Sequence, residues 1–175
     1  KLGQKVDIHI TGCHGFCERG PLVVLLPQGT LYVRVTPDNA EEIVATSIEN
    51  GNIVEKLTYK IPGTRERIAR ESDIPFYANQ QRIILANSGK VDPNNIDDYI
   101  AVGGYASLAK VLAQMMPGQI IDIIEKSGLR GRGGGGFPTG RKWRACSEAQ
   151  GHPKYVLCNG DEGDPGAFMD RSIME

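Results

Sequence analysis

The stretch "GRGGGGFPTGRKW" (131–143) constrains this chain most, because six of its first ten residues are glycine. Ordering glycine in regular structure costs roughly 0.5–1 kcal/mol more than ordering alanine. Such a concentration is useful where the backbone must turn sharply or approach another group closely. Phe137, Pro138 and Trp143 are not typical of flexible linkers, so the stretch predicts an ordered loop that contacts a ligand.

Two common phosphate-binding motifs do not describe this loop. Gly131, Gly133 and Gly136 match G-x-G-x-x-G, but that fingerprint follows a strand. The preceding segment, "PGQIIDIIEKSG", instead predicts a helix. A Walker A motif needs Lys followed by Ser or Thr, whereas this chain has Arg141-Lys142. What remains is a nest of backbone N–H groups that suits an anion, with Lys142 as a point charge beside it.

A second polar segment, "CNGDEGDPGAFMDR", follows the apolar run "KYVLCN" (154–159), which predicts a strand buried on both faces. Its candidate ligand-binding residues are Asn159, Asp161, Glu162 and Asp164. Ligands bind at the carboxyl ends of strands in open α/β sheets, and these side chains suit the N–H groups of a heterocycle and sugar hydroxyls. A calcium loop is excluded, because Gly163 stands where an oxygen ligand is required and Asp164 where glycine is required.

Together the two motifs resemble the flavoprotein subunit of respiratory complex I and its relatives. Those relatives include the diaphorase subunits of NAD(P)-linked iron-only hydrogenases and formate dehydrogenases. The family pattern is "GRGGxGFPTGxKW" followed by "CNxDExxPGxxKDR". The resemblance extends back to about Tyr77, through "NSGKVDPNNIDDYIAVGGYASLAK", which is similar to the hydrogenase branch. It implies an α/β fold, with the start of a complex I flavoprotein-type FMN-binding α/β domain.

The resemblance implies that FMN and NAD(H) or NADP(H) bind at both motifs. The implied cofactor-binding residues are Gly131, Arg132, Gly133, Gly134, Gly135, Gly136, Phe137, Lys142, Asn159, Asp161, Glu162 and Asp164. The glycine backbone would face the flavin and nicotinamide, Lys142 the flavin or its phosphate, and Phe137 the adenine end of NAD. The carboxylate segment would hydrogen-bond the flavin.

No residue is assigned as a catalytic acid or base, although Glu162 and Asp164 are expected near the nicotinamide. This chain departs from the family pattern at two positions. Asp164 stands where complex I members usually carry Glu, and Met169 stands where Lys is expected. The shorter side chain of Asp164 is expected to alter how the nucleotide fits, and Met169 removes one positive charge near the loop.

The N-terminal third predicts a strand over 5–11, the loop "GCHGFCERGP", a hairpin of "LVVLL" and "TLYVRV", and a helix. The helix begins at Thr36-Pro37, where capping and first-turn signals coincide, and ends at Asn50-Gly51. This order resembles the second half of a thioredoxin-like 2Fe–2S ferredoxin domain.

That resemblance makes Cys13 and Cys17 the expected metal ligands. A 2Fe–2S cluster needs four thiolates, and Cys146 and Cys158 are poor candidates because they lie within the flavin motifs. We therefore expect the other two ligands upstream of this sequence and a 4Fe–4S cluster downstream. Buried or disulfide-linked cysteines remain an alternative, and a zinc site using His14 lacks a second ligand pair.

The predicted organisation is the C-terminal half of a thioredoxin-like 2Fe–2S domain over 1–58, a linker over 59–76, and the N-terminal part of an FMN/NAD-binding domain over 77–175. The linker is expected to wrap over a neighbouring surface. Within the third region, two helical pieces are predicted around Gly103-Gly104, and a further helix over 117–127.

The predicted function is that of a subunit in an NAD(P)H-linked oxidoreductase, active only within the complete protein or complex. Hydride would pass between nicotinamide and FMN, and single electrons would continue to iron–sulfur clusters, in a complex of hydrogenase or formate-dehydrogenase type. The alternatives are an iron–sulfur electron-transfer or docking module without flavin, complex I proper, and a nucleotide-binding protein that uses the loop without flavin.

Charge and composition exclude other classes. The net charge of −1 gives no support for nucleic-acid binding, and the longest apolar run, "LVVLL" (22–26), is too short for membrane insertion. Four cysteines without a signal peptide favour a cytoplasmic setting. The expected partners are NAD(P)H and other iron–sulfur subunits of a hetero-oligomeric redox complex.

Overall fold

The computed structural model describes residues 6–174, which fall into two units. The first unit contains the residues up to Pro93 together with those from Asp164 onward, and the second contains Asn94–Gly163. The first carries the cysteine loop, and the second carries the glycine-rich loop.

The first unit is built on two short antiparallel hairpins. Strands β1 (Val23–Leu25) and β2 (Thr30–Tyr32) pair with Val23 opposite Tyr32, which confirms the predicted hairpin. Strands β3 (Tyr59–Lys60) and β4 (Arg67–Ile68) form the second pair. Single bridges from Thr30 to Arg70 and from Tyr32 to Thr58 join the two hairpins.

The predicted helix after the first hairpin is present but irregular. It begins with a 3-10 turn at Pro37–Asn39, continues as α1 (Ala40–Ile43), and ends in a π-helical segment, Val44–Glu49. The Asn39 Oδ1 atom accepts hydrogen bonds from the Thr36 backbone N–H at 2.9 Å and the Thr36 hydroxyl at 3.0 Å. Gly51, with a φ of +68°, follows the helix, so both predicted helix boundaries are confirmed.

Two buried apolar clusters form the core of this unit. They contain Phe16, Leu31, Tyr59 and Ile74 in one, and Tyr32, Ile43, Val54 and Leu57 in the other. Tyr59 and Ile74 belong to the segment predicted as a linker, so this segment packs into the core. The predicted domain boundaries remain predictions; within 59–76, Tyr59 and Ile74 are buried, whereas most of 60–73 is exposed.

Short helices complete the first unit. The 3-10 turns are Cys17–Arg19, Glu55–Leu57 and Glu71–Asp73, and the α-helices are α2 (Pro75–Ala78) and α7 (Met169–Met174).

The second unit is helical. Its helices are α3 (Ile96–Ala101), α4 (Ala106–Gln114), α5 (Pro117–Ser127) and α6 (Thr139–Glu148). The break between α3 and α4 lies at Gly103-Gly104, as predicted. Helix α5 ends at Gly128, which has a φ of +68°. Helix α6, which follows the glycine-rich loop, is not among the elements predicted from the sequence.

Two predicted strands are wrong. Residues 6–11 form no strand, with Ile8 84% and Ile10 74% exposed, and Lys5 lies outside the described residues. The run 154–159 is also irregular, and Val156 and Leu157 are 82% and 85% exposed. A strand must pair its backbone N–H and C=O groups with a neighbour, and neither run pairs with another strand within residues 6–174.

Candidate functional site

The glycine loop (131–137) is closed at its base by backbone hydrogen bonds. Gly131 N–H donates to the Phe137 carbonyl at 2.9 Å, and Thr139 N–H donates to the Leu129 carbonyl at 2.9 Å. An antiparallel bridge also joins Arg130 to Pro138. The loop is therefore a projection whose two ends are fixed between α5 and α6.

The exposed face of the glycine loop is free of side-chain obstruction. A Cβ atom built at Gly133, Gly134 or Gly135 meets no heavy atom within 4 Å. Gly134 and Gly136 have φ values of +95° and +59°, which favour glycine. At Gly136, the carbonyl accepts a hydrogen bond from Arg130 Nε at 2.5 Å, so the Arg130 side chain spans the base of the loop.

The loop brings several predicted cofactor residues together. Arg132 lies on the exposed turn, Phe137 ends the loop with 51% of its surface exposed, and Lys142 lies in the first turn of α6. The Arg141 guanidinium carbon lies 5.9 Å from the centroid of the Phe137 ring. The loop thus offers unobstructed backbone and an exposed aromatic ring with the Arg141 guanidinium over it, features that suit a flat phosphorylated ligand such as FMN.

Helices α5 and α6, which flank the glycine loop, pack closely against each other. Gly140 on α6 is buried, and a Cβ atom there would lie 2.6 Å from the backbone nitrogen of Glu125. Arg144 Nε donates to both Glu125 carboxylate oxygens at 3.0 Å, and Arg144 Nη2 donates to Asp122 at 2.5 Å. The hydrogen bond from Arg144 holds the pKa of Glu125 below its ordinary value, and the two carboxylates raise the pKa of Arg144.

This clamp of Arg144 on two carboxylates is absent from the sequence-based expectations. Two signals for it were present: Asp122 and Glu125 are three residues apart and so share one face of α5, and Arg144 follows the loop on the next helix. The contact between Arg144 and these two carboxylates could not be predicted, because helix α6 itself was not predicted. Arg130, which spans the base of the loop, was also not singled out as a site residue.

The carboxylate segment (158–164) is irregular. The Asn159 Oδ1 atom accepts a hydrogen bond from Asp161 N–H at 3.0 Å, and Glu162 has a φ of +49°. A Cβ at Gly163 would lie 3.0 Å from a carboxylate oxygen of Asp161. The structure thus gathers Asn159 and Asp161 in one local turn, while Asp164 belongs to the first unit. The binding roles of these residues remain predictions.

The cysteine loop (12–17) lies in the first unit. Cys13 is half-buried, and its Sγ accepts a hydrogen bond from Gly15 N–H at 3.3 Å. Cys17 is exposed at the start of a 3-10 turn, and both thiols are free. A backbone N–H directed at sulfur suits a metal-bound thiolate.

The ligand role expected of these two thiols remains a prediction. Four thiolates are needed, and Cys146 and Cys158 are exposed in the other unit. Within residues 6–174, no group of three or more His, Cys, Asp or Glu side chains is arranged to hold a metal ion. No cluster is therefore derived from this chain alone.

A cavity of about 260 Å³ lies elsewhere, in the first unit, among β1, β2 and the end of the irregular helix. Its polar lining includes Tyr32, Ser47, Asn52 and Arg70. None of its lining residues comes from the glycine loop or the cysteine loop, so it has no part in the candidate site. No helix within residues 6–174 is both long and apolar enough to span a membrane.

The glycine loop and the segment after it lie in the part of the chain that matches a known family. Residues 124–175 match the family described as the Nuo51 FMN-binding domain, the domain of complex I-type flavoprotein subunits. The expected resemblance and the α/β fold class are thereby confirmed.

The relatives of this chain include, by name, hydrogenase subunits and NADH-quinone oxidoreductase subunits. Over 96 residues, the chain is 54% identical to the NADP-reducing hydrogenase subunit HndC of Solidesulfovibrio fructosivorans, covering 55% of this chain and 19% of that protein. Over 93 residues, it is 48% identical to a subunit of the NADH-quinone oxidoreductase of Rhizobium meliloti (strain 1021), covering 53% of this chain and 22% of that protein.

A third relative is also named as a hydrogenase subunit. Over 74 residues, the chain is 50% identical to the NAD-reducing hydrogenase HoxS subunit alpha of Cupriavidus necator, covering 41% of this chain and 12% of that protein. The chain spans about a fifth or less of the length of these curated relatives.

Proposed function

We propose that this chain is part of an NAD(P)H dehydrogenase (diaphorase) subunit, whose glycine loop and carboxylate segment hold FMN and the nicotinamide nucleotide. The observation that carries this proposal is the glycine loop, closed at its base and unobstructed on its face, within the region that matches an FMN-binding domain. The names of relatives that include NAD, NADP or NADH support the same reaction class.

When bound, FMN supplies two-electron chemistry with the nicotinamide and one-electron chemistry with iron–sulfur clusters. The chain's own contribution is binding and orientation. The backbone of Gly133–Gly135 gives a flat surface without Cβ atoms, and Lys142 supplies a cation for the phosphate or ring. Phe137 offers an apolar face for the adenine. Asn159 and Asp161 present an amide and a carboxylate to the N–H groups and hydroxyls of the flavin.

The clusters and the assembly are part of the same proposal. Cys13 and Cys17 supply two ligands of a 2Fe–2S cluster whose other ligands lie outside this sequence, and a 4Fe–4S cluster lies downstream. The partners are iron–sulfur subunits of a cytoplasmic redox complex of hydrogenase or formate-dehydrogenase type. The hydrogenase names among the relatives support that assembly.

The experiment is to purify the protein, quantify bound flavin from its absorbance at about 450 nm, and measure NADH- and NADPH-dependent ferricyanide reduction. Lys142→Ala and Asp161→Ala are compared with Lys110→Ala, a matched control on the exposed surface of α4. We expect flavin content and rate to fall in the first two variants and to be retained in the control.

Flavin content and rate that are unchanged in both Lys142→Ala and Asp161→Ala overturn the assignment of the site. A wild-type protein that retains iron but no flavin overturns the dehydrogenase function and favours an electron-transfer module. Iron content that does not fall in Cys13→Ser or Cys17→Ser excludes these thiols as ligands.

A further inference from the structure

Residues 71–91 pack against the cysteine loop in a way that the proposed function does not require. The contact centres on His14, the residue that directly follows Cys13 in the loop. The His14 Nδ1 atom lies 3.2 Å from a carboxylate oxygen of Glu71 and 3.4 Å from the hydroxyl of Tyr77. An Nδ1–H tautomer donates to both, because each oxygen can accept.

The backbone of His14 is held as well as its ring. Arg82 donates from its guanidinium to the His14 carbonyl at 2.6 Å. The same guanidinium lies over the ring of Tyr77, with 5.2 Å between its carbon and the ring centroid. A hydrogen bond from a charged donor is about twice as strong as a neutral one, so Arg82 is a strong attachment of the cysteine loop to this segment.

Two further contacts close the segment over the loop. The Phe16 ring stacks on Phe76 with 4.3 Å between ring centroids and an interplanar angle of 9°. Gly89 lies against the His14 ring so closely that a Cβ built there would be 2.6 Å from His14 Cε1 and Nε2. Burial together with the charge of Glu71 raises the pKa of Tyr77, so its hydroxyl stays neutral and can donate or accept.

We propose that residues 71–91 are a strap that fixes the conformation of the cysteine loop through His14. Arg82, Tyr77, Glu71 and Gly89 are positioning residues of this strap. The strap keeps Cys13 half-buried, with its Sγ on the Gly15 amide, while Cys17 faces solvent. The two thiols of the pair are therefore unequal in reactivity. This inequality does not rest on the proposed function.

The test measures the alkylation rates of Cys13 and Cys17 by iodoacetamide in the full chain after iron has been removed with a chelator, because only an uncoordinated thiolate reacts; the products are read by mass spectrometry. Gly89→Ala is the wedge variant, and Gly63→Ala is its matched control. Gly89 and Gly63 have nearly equal φ values of +79° and +77°, but a Cβ at Gly63 meets nothing within 4 Å. Both variants carry the same backbone strain, and only the first displaces His14.

In the wild type, Cys17 is expected to react faster than Cys13. Gly89→Ala should raise the alkylation rate of Cys13 about tenfold, because tenfold corresponds to about 1.4 kcal/mol, which lies within the cost of inserting a methyl group into a packed contact. Gly63→Ala should leave the ratio of the two rates unchanged. Arg82→Met should act in the same direction, and Arg82→Lys, which keeps a charged donor, should restore most of the difference. Cys158, exposed in the other unit, serves as an internal rate standard.

Amide exchange in β2 shows whether the core of the first unit survives in each variant. If Gly89→Ala unfolds the unit, Tyr77→Phe replaces it as the test, because this variant keeps the ring and loses only the hydroxyl. We then expect the alkylation rate of Cys13, relative to that of Cys17, to rise roughly threefold. Equal rates for Cys13 and Cys17 in the wild type overturn the proposal. The proposal is also overturned if Arg82→Met and Tyr77→Phe both leave the ratio of the Cys13 and Cys17 rates unchanged while the amides of β2 stay protected. The strap is tested by thiol alkylation and the proposed function by flavin content, so the failure of one can be distinguished from the failure of the other.

Discussion

Replacing Gly140 by alanine tests whether the close approach of α5 and α6 holds the base of the glycine loop. An alanine Cβ would lie 2.6 Å from the backbone nitrogen and 2.7 Å from the Cα atom of Glu125. Non-bonded heavy atoms pack best at about 3.5–4.0 Å. The two helices must therefore separate by roughly 1 Å, because the conflicting atoms belong to the backbone and cannot rotate away.

The magnitude follows from two opposing terms. Inserting an extra methyl group into a close-packed contact costs about 1–3 kcal/mol, and alanine favours a helix over glycine by up to about 1 kcal/mol. Gly118 isolates the second term, because it is also the second residue of its helix and a Cβ there meets nothing within 4 Å. We expect Gly118→Ala to stabilise α5, and Gly140→Ala to be less stable than Gly118→Ala by about 1–3 kcal/mol.

The assay is hydrogen exchange of the amides in α5 and α6, because it reports local opening free energies without requiring the whole chain to unfold together. The difference corresponds to exchange about 5–150-fold faster in Gly140→Ala than in Gly118→Ala. Slower exchange in both variants would refute the reasoning, since it would mean that α5 and α6 do not touch at Gly140.

Three further predictions follow from other contacts. Tyr32→Phe removes a fully buried hydroxyl that accepts a hydrogen bond from Val54 N–H at 3.0 Å; leaving that N–H unsatisfied should destabilise the first unit by about 1–3 kcal/mol, and unchanged exchange at Val54 would contradict this. Lys154→Met removes three hydrogen bonds to carbonyls at the end of α6, so exchange near residue 149 should accelerate while exchange near residue 140 stays constant. Because the hydrogen bond from Arg144 lowers the pKa of Glu125 from 4.5, the stability that this pair contributes is fully present above pH 4.5 and is lost as the pH falls through the lowered value. The protection of the α5 amides, which is the exchange rate corrected for its intrinsic pH dependence, should therefore fall in acid, and this fall should disappear in Glu125→Gln; a fall retained in that variant would assign it to another group.

Local signals in the sequence predicted several elements well. Thr36-Pro37 and Asn50-Gly51 marked both ends of the first helical segment, and Gly128 marked the end of α5, because capping chemistry is encoded within a few residues. The turn "PQG" predicted the first hairpin for the same reason. At the glycine loop, composition indicated an ordered loop, and the backbone hydrogen bonds at its base agree with that.

Features that depend on distant partners were not predictable in this way. Alternation in "KVDIHIT" and the apolar run "KYVLCN" are typical of strands, but a strand needs a paired neighbour that neither run has within residues 6–174. The contacts of His14 with Glu71 and Tyr77 join residues about sixty positions apart, and no periodic pattern encodes them. The clamp of Arg144 depends on α6, a helix that local signals did not predict.

The paired base of the glycine loop also limits the entropy that a ligand must overcome. With Gly131 bonded to Phe137 and the Gly136 carbonyl held by Arg130, only residues 132–135 have backbone that is free to be ordered. At about 1–2 kcal/mol per residue, that ordering costs about 4–8 kcal/mol, far less than fixing an open linker of the same glycine content. The ordering cost of the loop is thus confined to four residues, and restricting backbone rotation among them before binding would tighten the binding of a flat ligand there.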